Sequence, residues 1–164
     1  KIESGTSVNC SIGSESDKRI LKTSAVTLGA FLPSETKTPI VDEEDKLSTQ
    51  VKAGHILVCR KNSPSLVGSS VLVESLDQDL FLPDLLWQLI PNENYREISN
   101  FLFYALNEGH TAFRIRNLAS GSIESMRNIS KKSYLNLSLP LPPLPPHQNI
   151  AQTLSTSTPP PIHL

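Results

Sequence analysis

The residues whose types and spacing suggest chemistry are cations. Residues 111–134 hold Arg114, Arg116, Arg127, Lys131 and Lys132 against one acid, Glu124, a local charge of +4. Residues 54–110 hold Arg60, Lys61 and Arg96 against seven acids, a local charge of −4. On a chain whose total charge is −1, such a stretch points to one face suited to an anionic ligand. A solvated helix surface explains the same charges, and charge alone favours it. Nucleophilic and metal chemistry find no support. There is no GxSxG elbow, no GxxxxGK phosphate loop and no GxGxxG after a strand. His55, His110, His147 and His163 are scattered without metal-ligand spacing. His55 opens an apolar strand and reads as structural. The acidic run Asp42, Glu43, Glu44, Asp45 lacks the spaced ligands and the glycine of a calcium loop, so it reads as a solvated face. No NPP tetrapeptide of an amino-methyltransferase is present. These residues offer no catalytic machinery, which makes an enzyme the weakest reading.

The elements that must position the cations follow from composition and pattern. At 164 residues the chain has the length of one domain, or of one domain with a tail. Hydrophobic residues at 38% against 19% charged are enough to bury a core. No apolar run approaches the roughly 18 residues of a membrane span. The opening KIESGTSVNC lacks the pattern of a signal peptide, and the absent initiator Met suggests a fragment. Cys10 and Cys59 stand far apart with no Cys or His cluster nearby, which argues against zinc and for free thiols in a reducing compartment. Three Asn-X-Ser tripeptides, at Asn9, Asn128 and Asn136, are then chance matches to a glycosylation pattern.

Residues 1–19 are polar and read as a loop. RILKTSAV (19–26) suggests a strand broken before Gly29. Residues 33–54 read as an acidic excursion with one helical turn. HILVCR (55–60) carries four consecutive apolar residues, a buried-strand signal. KNSPSLVG (61–68) reads as a turn and SSVLVES (69–75) as a second strand, so 55–75 forms a hairpin-type pair. DLFLPDLLWQLIPN (79–92) adds one or two strands around Pro83, with Trp87 in the core. Ile98, Phe101, Leu102, Ala105 and Leu106 fall on one helix face, and Gly109 is placed to stop that helix. A second helix ends near Gly121, and residues 122–128 read as a loop. Ser130 is a suitable cap for a short helix over Lys131–Leu135. Strands first and helices afterwards predict an α+β domain with a twisted, mostly antiparallel sheet and late short helices.

Eight of the 13 prolines lie between Pro140 and Pro161. Proline fixes φ and lacks an N–H, so PLPPLPP is extended and stands outside any sheet. Such a segment either serves as a ligand for a Pro-binding module or delivers the chain to its next element.

Four stretches in order carry a resemblance. They are Gly54-His55-Ile56-Leu57-Val58-Cys59-Arg60, a Gly/Ser loop at 120–122, the Asn128-Ile129-Ser130 cap, and Leu139-Pro140-Leu141-Pro142-Pro143-Leu144 running to Gln148 and Ile150. ILKTSAVTLGAF (20–31) adds a first core strand. Over roughly residues 4–154 the chain resembles the target-recognition domain of a DNA specificity subunit of type I restriction–modification systems. The match departs at His55, where the family has Asp, and at His147, where it has Glu.

The resemblance implies a non-catalytic component that reads one half of a split double-stranded DNA site. It implies a DNA target-recognition domain over 1–138, a Pro-rich connector over 139–146 and the truncated start of a spacer helix over 147–164, which STSTPPPIHL cannot continue. A single half-subunit, or the product of a broken gene, is the expectation. Its implied partners are the DNA adenine methyltransferase and restriction subunits, and a second recognition domain met through spacer helices. No cofactor is expected on this chain, since S-adenosylmethionine and ATP belong to those partners. The implied location is the prokaryotic cytoplasm, with no membrane contact. Phosphate contacts are expected from Lys22, Arg60, Lys61, Arg127, Lys131 and Lys132, with Lys131 and Lys132 foremost at a helix start. Base contacts are expected from Ser4, Thr6, Ser24, Asn62, Ser63, Ser120 and Ser122 on polar loops. For each of these, turn formation or capping is an equal alternative, and Arg60 has the alternative of bracing the hairpin through an ion pair. Two competing readings are a protein-interaction module acting through PLPPLPP and a non-functional gene remnant.

Overall fold

The computed structural model describes residues 1–27, 29–91, 98–121 and 126–139. In chain order the strands are β1 (Ile2–Ser4), β2 (Arg19–Leu21), β3 (Val26–Thr27), β4 (Ala30–Phe31), β5 (Thr36–Lys37), β6 (Ile56–Cys59) and β7 (Lys61–Asn62). β8 (Ser70–Leu72), β9 (Leu80–Phe81) and β10 (Leu86–Leu89) follow. Then come α1 (Ser99–Asn107), α2 (Gly109–Asn117), β11 (Arg127–Asn128) and α3 (Lys131–Leu135). The α+β class stands, and among the described strands the pairing is mostly antiparallel as expected, with β2 running parallel to β9. Beyond Leu139, the 139–146 connector and the 147–164 spacer-helix start lie outside the described residues, as do 122–125 of the expected loop.

The central sheet has the order β1-β10-β6-β8, antiparallel throughout. All four residues of β6 are buried, which explains the unbroken apolar run: this strand is covered on both faces. Residue alternation then separates two cores. Leu57, Cys59, Val71 and Leu86 face one side and pack with Leu21, Val26, Val51, Leu80 and Leu82. Ile2, Ile56, Val58 and Trp87 face the other and pack with Leu106, Ile115, Ala119, Ile129 and Tyr134 from the late helices and their connections. Gln88, on the Leu57 side of the sheet, is fully buried, yet both ends of its amide are satisfied. Its Oε1 accepts from the Lys52 N–H at 2.9 Å and its Nε2 donates to the Gln50 carbonyl at 3.1 Å.

Several sequence expectations need correction. Residues 1–19 are not all loop, because Ile2–Ser4 forms an edge strand that pairs with Trp87–Leu89. The 19–26 strand is interrupted by a 3-10 turn over Thr23–Ala25. Turn residues Lys61 and Asn62 pair with Arg127 and Asn128, which sequence reading assigned to a loop. Pairs this short have no periodicity to detect. Gly109 does not terminate α1. Glu108 ends it with an extended backbone, φ −58° and ψ 137°, and Gly109 opens α2. The Glu108 carboxylate then accepts from the N–H groups of His110 and Thr111, both at 2.9 Å, and so caps α2.

That capping has a pH consequence. The two backbone donors hold the Glu108 carboxyl below its ordinary value of 4.5. A lowered folded-state pKa adds stability that is present above the ordinary value and fades as pH falls through the folded one. Glu108→Gln should therefore reduce the acid-side loss of stability between about pH 5 and pH 3, read as urea midpoints across that range.

A second prediction concerns two glycines with positive φ. At Gly68, φ +83°, an added Cβ would collide with the buried Ile115 side chain, whereas at Gly54, φ +78°, it would meet open space. Gly68→Ala should cost about 3 kcal/mol from backbone strain plus overpacking, and Gly54→Ala about 1 kcal/mol from strain alone. Denaturant unfolding of the two variants checks the difference.

Candidate nucleic-acid interface

The cations of the late sequence meet an earlier turn through backbone pairing. Arg60 lies between β6 and β7. Its N–H donates to the Leu85 carbonyl at 3.0 Å, and its carbonyl accepts the Ile129 N–H at 2.9 Å. In the β7–β11 ribbon Arg127 lies opposite Asn62 and Asn128 opposite Lys61. Ser120 extends the ribbon, exchanging two backbone bonds of 3.0 Å with Asn128. Ile129 is fully buried and anchors the step from β11 into α3. There the Ser130 hydroxyl accepts the Ser133 N–H at 3.0 Å, as its position before the helix predicts. Tyr134 points into the core edge-on to Trp87, with ring centroids 5.5 Å apart. With Tyr134 turned inward, Lys131 and Lys132 stay exposed.

Five cations thus gather on one ribbon and one helix start: Arg60, Lys61, Arg127, Lys131 and Lys132. None makes an ion pair among the described residues, where the pairs join Lys1 to Glu3, Lys18 to Glu44, Lys22 to Glu35 and Lys46 to Glu43. The Arg60 guanidinium lies 6.0 Å from the Trp87 ring centroid, at the outer range of a cation–π contact. It braces the strand by this stacking, and Arg60 has no ion pair among the described residues. The Nε atoms of Arg60 and Arg127 and the Oδ1 of Asn128 are buried without hydrogen-bond partners. Lys131 Nζ donates to the Ile2 carbonyl at 2.7 Å, tying α3 to β1 and leaving two of the ammonium donors unused among the described residues.

The remaining expected contacts lie in other bonds. Asn62 is turned back on its own chain, with Oδ1 accepting the Ser63 N–H at 2.7 Å and Nδ2 reaching the Cys59 sulfur at 3.4 Å. Burial pushes the Cys59 thiol up, so it stays protonated and donates to the Lys61 carbonyl. The hydroxyls of Ser63 and Ser65 pair at 3.3 Å. The Ser120 hydroxyl donates to the Asn128 carbonyl at 3.5 Å. Lys22 and Ser24 share Glu35, at 3.8 Å and 2.7 Å. Ser4 ends β1, its carbonyl accepting from Thr49, and the Thr6 hydroxyl pairs with Ser48. No hydrogen bond or ion pair joins Ser4, Thr6, Lys22 or Ser24 to the five-cation patch among the described residues. Ser122 lies outside them. Asn128 was missed by sequence reasoning, because nothing in a two-residue strand marks it. Arg114 belongs to the basic stretch by sequence alone, since its guanidinium donates to the Ser138 carbonyl at 3.2 Å.

Among the described residues no cluster of His, Cys, Asp or Glu is arranged to hold a metal ion, and no helix is long and apolar enough to cross a membrane. No protein-family model matches the chain. The Type I restriction enzyme EcoEI specificity subunit of Escherichia coli is 31% identical over 126 residues, 76% of this chain and 21% of that protein. This chain is a relative of type I specificity subunits. It spans about a fifth of the length of that curated relative. The crystal structure of the type I restriction–modification system S subunit from M. genitalium superposes with a TM-score of 0.58 at 20% identity, covering 94% of this chain and 35% of that one. At that identity the superposition establishes the fold, and it agrees with the resemblance to a target-recognition domain.

The cap of α3 gives a further prediction. Ser130→Ala removes the acceptor of the Ser133 N–H and should cost about 1 kcal/mol. Urea denaturation followed by the fluorescence of Trp87, which touches Tyr134 of that helix, measures it.

Proposed function

We propose that this chain reads double-stranded DNA as the target-recognition domain of a type I specificity subunit, and in that role brings methyltransferase and restriction subunits to one half of a bipartite site. The observation that carries this reading is the patch of five cations that make no ion pair among the described residues, displayed by the β7–β11 ribbon and the start of α3. A two-stranded ribbon is of a size that the DNA major groove admits. Cations not neutralised within the protein are available to phosphates, and each one engaged releases counterions. The similarity to the EcoEI specificity subunit supports the same assignment. In this reading Arg60, Lys61, Arg127, Lys131 and Lys132 hold phosphates and set the register, and the chemistry on DNA belongs to partner subunits. Lys22 contributes little, because Glu35 already answers its charge.

The test is a selection from random DNA duplexes, followed by a salt titration on an enriched site. Lys131→Ala with Lys132→Ala should weaken binding to all sequences alike and reduce the slope of log affinity against log salt by about 1 to 2. Lys22→Ala should leave that slope nearly unchanged. An unaltered slope in the folded double variant would sink the assignment of α3. Absence of any duplex binding by the folded chain would favour a module acting through its Pro-rich segment.

A further inference from the structure

Arg116 belongs to the basic stretch of the sequence but not to the cation patch. It is half-buried on α2, and its guanidinium makes neither an ion pair nor a hydrogen bond among the described residues. It lines a cavity of about 300 Å³ between α2 and the turn that leads into β8, and none of the five patch cations borders that cavity. Gly109, Ala112 and Arg116 follow at offsets of three and four, so one face of α2 forms a wall. The first two carry little or no side chain, which leaves room beside the guanidinium. A Cβ added at Gly109 would meet no atom within 4 Å. Two more polar groups line the same space. The Ser69 hydroxyl has no hydrogen bond among the described residues. The Asn107 amide is held in one orientation, because its Nδ2 donates to the Phe103 carbonyl and to the Ser70 hydroxyl, both at 2.9 Å. Both of its N–H donors are thereby used, and Oδ1 is left as an acceptor.

We propose that this cavity binds a phosphate group that still carries a proton, as inorganic phosphate or as a phosphomonoester. The guanidinium of Arg116 offers parallel N–H donors to two phosphate oxygens. The Ser69 hydroxyl can donate to another. The Asn107 Oδ1 sets the selectivity, since it needs a donor and takes the P–O–H. A phosphomonoester keeps such a proton up to its second ionisation at about pH 6. Sulfate and a phosphodiester carry none near neutrality, so each would set an oxygen against Oδ1 and leave that acceptor unpaired. The DNA backbone is a phosphodiester and is therefore a poor ligand here. Glu108 precedes Gly109, but its carboxylate is already engaged by the N–H groups of His110 and Thr111. The site is separate from the duplex-binding surface, and it stands whether or not the cation patch meets DNA.

The test is amide NMR of the full chain, titrated at about pH 6 with inorganic phosphate, methyl phosphate, dimethyl phosphate and sulfate in turn. The first two should move the Ser69 and Gly109 backbone signals and the Asn107 side-chain signal to saturation, and the tighter of them identifies the source of the group. Dimethyl phosphate and sulfate should bind about tenfold more weakly or worse, because the Asn107 acceptor stays unpaired. Arg116→Gln should abolish the shifts while the rest of the spectrum stays in place. Ser69→Ala, which removes only a hydroxyl, should weaken binding without abolishing it. Shifts that survive Arg116→Gln, or that appear only at the cation patch, would overturn the site. Equal binding of sulfate or of dimethyl phosphate would overturn the selectivity, and displacement of phosphate by a short duplex would make the cavity part of the DNA surface and overturn its independence.

Discussion

The pairing of β10 with β6 fixes everything else. Leu86 lies opposite Cys59, Trp87 opposite Val58, Gln88 opposite Leu57 and Leu89 opposite Ile56. Both faces of this pair are covered, so a slip of one residue would exchange the two cores and turn Trp87 away from Tyr134. Side-chain volume resists the exchange, because the indole packs against the Tyr134 ring on the helical side. The buried amide of Gln88 resists it too. Its two bonds reach the backbone at Gln50 and Lys52, and those bonds exist in one register.

From that pair the cation patch is built outward. Arg60 follows β6 directly, its backbone fastened on one side to the lead-in of β10 and on the other to Ile129. Its guanidinium rests over the indole that the register places beneath it. Ile129 is buried among the helices, which orients β11 before it and α3 after it. The positively charged surface is therefore an outgrowth of the core. Lys131 and Lys132 are exposed and Arg60, Lys61 and Arg127 half-buried, and the Cα positions of all five are set by buried neighbours.

Legibility of the sequence followed the strength of local signals. The buried run Ile56–Cys59 and the hairpin to Ser70–Leu72 were readable because burial on both faces leaves an apolar stretch bounded by turns. The cap at Ser130 was readable because a hydroxyl before a helix has one common use. Edge strand β1 was hidden, since three residues among serines and glycines carry no alternation. The β7–β11 ribbon was hidden for the same reason, although its charges were conspicuous. Charge and order along the chain identified Arg127, Lys131 and Lys132 as a group, but not their meeting with Arg60 and Lys61, which only long-range pairing produces. Nor does composition reveal that Lys22 is neutralised by Glu35 or that Asn62 is occupied by Cys59 and Ser63.

The bond from Lys131 to the carbonyl of Ile2 spans 129 positions of sequence. Because a chain grows from its amino end, the lysine emerges from the ribosome long after its acceptor. Until then β1 has no α3 to hold, and the ribbon lacks its second strand. Until α3 has emerged, a nascent chain therefore carries scattered charges and no assembled cationic surface, and the slow closure of that large loop waits for it. Whatever polyanion this surface meets, it can meet only after α3 has joined β1.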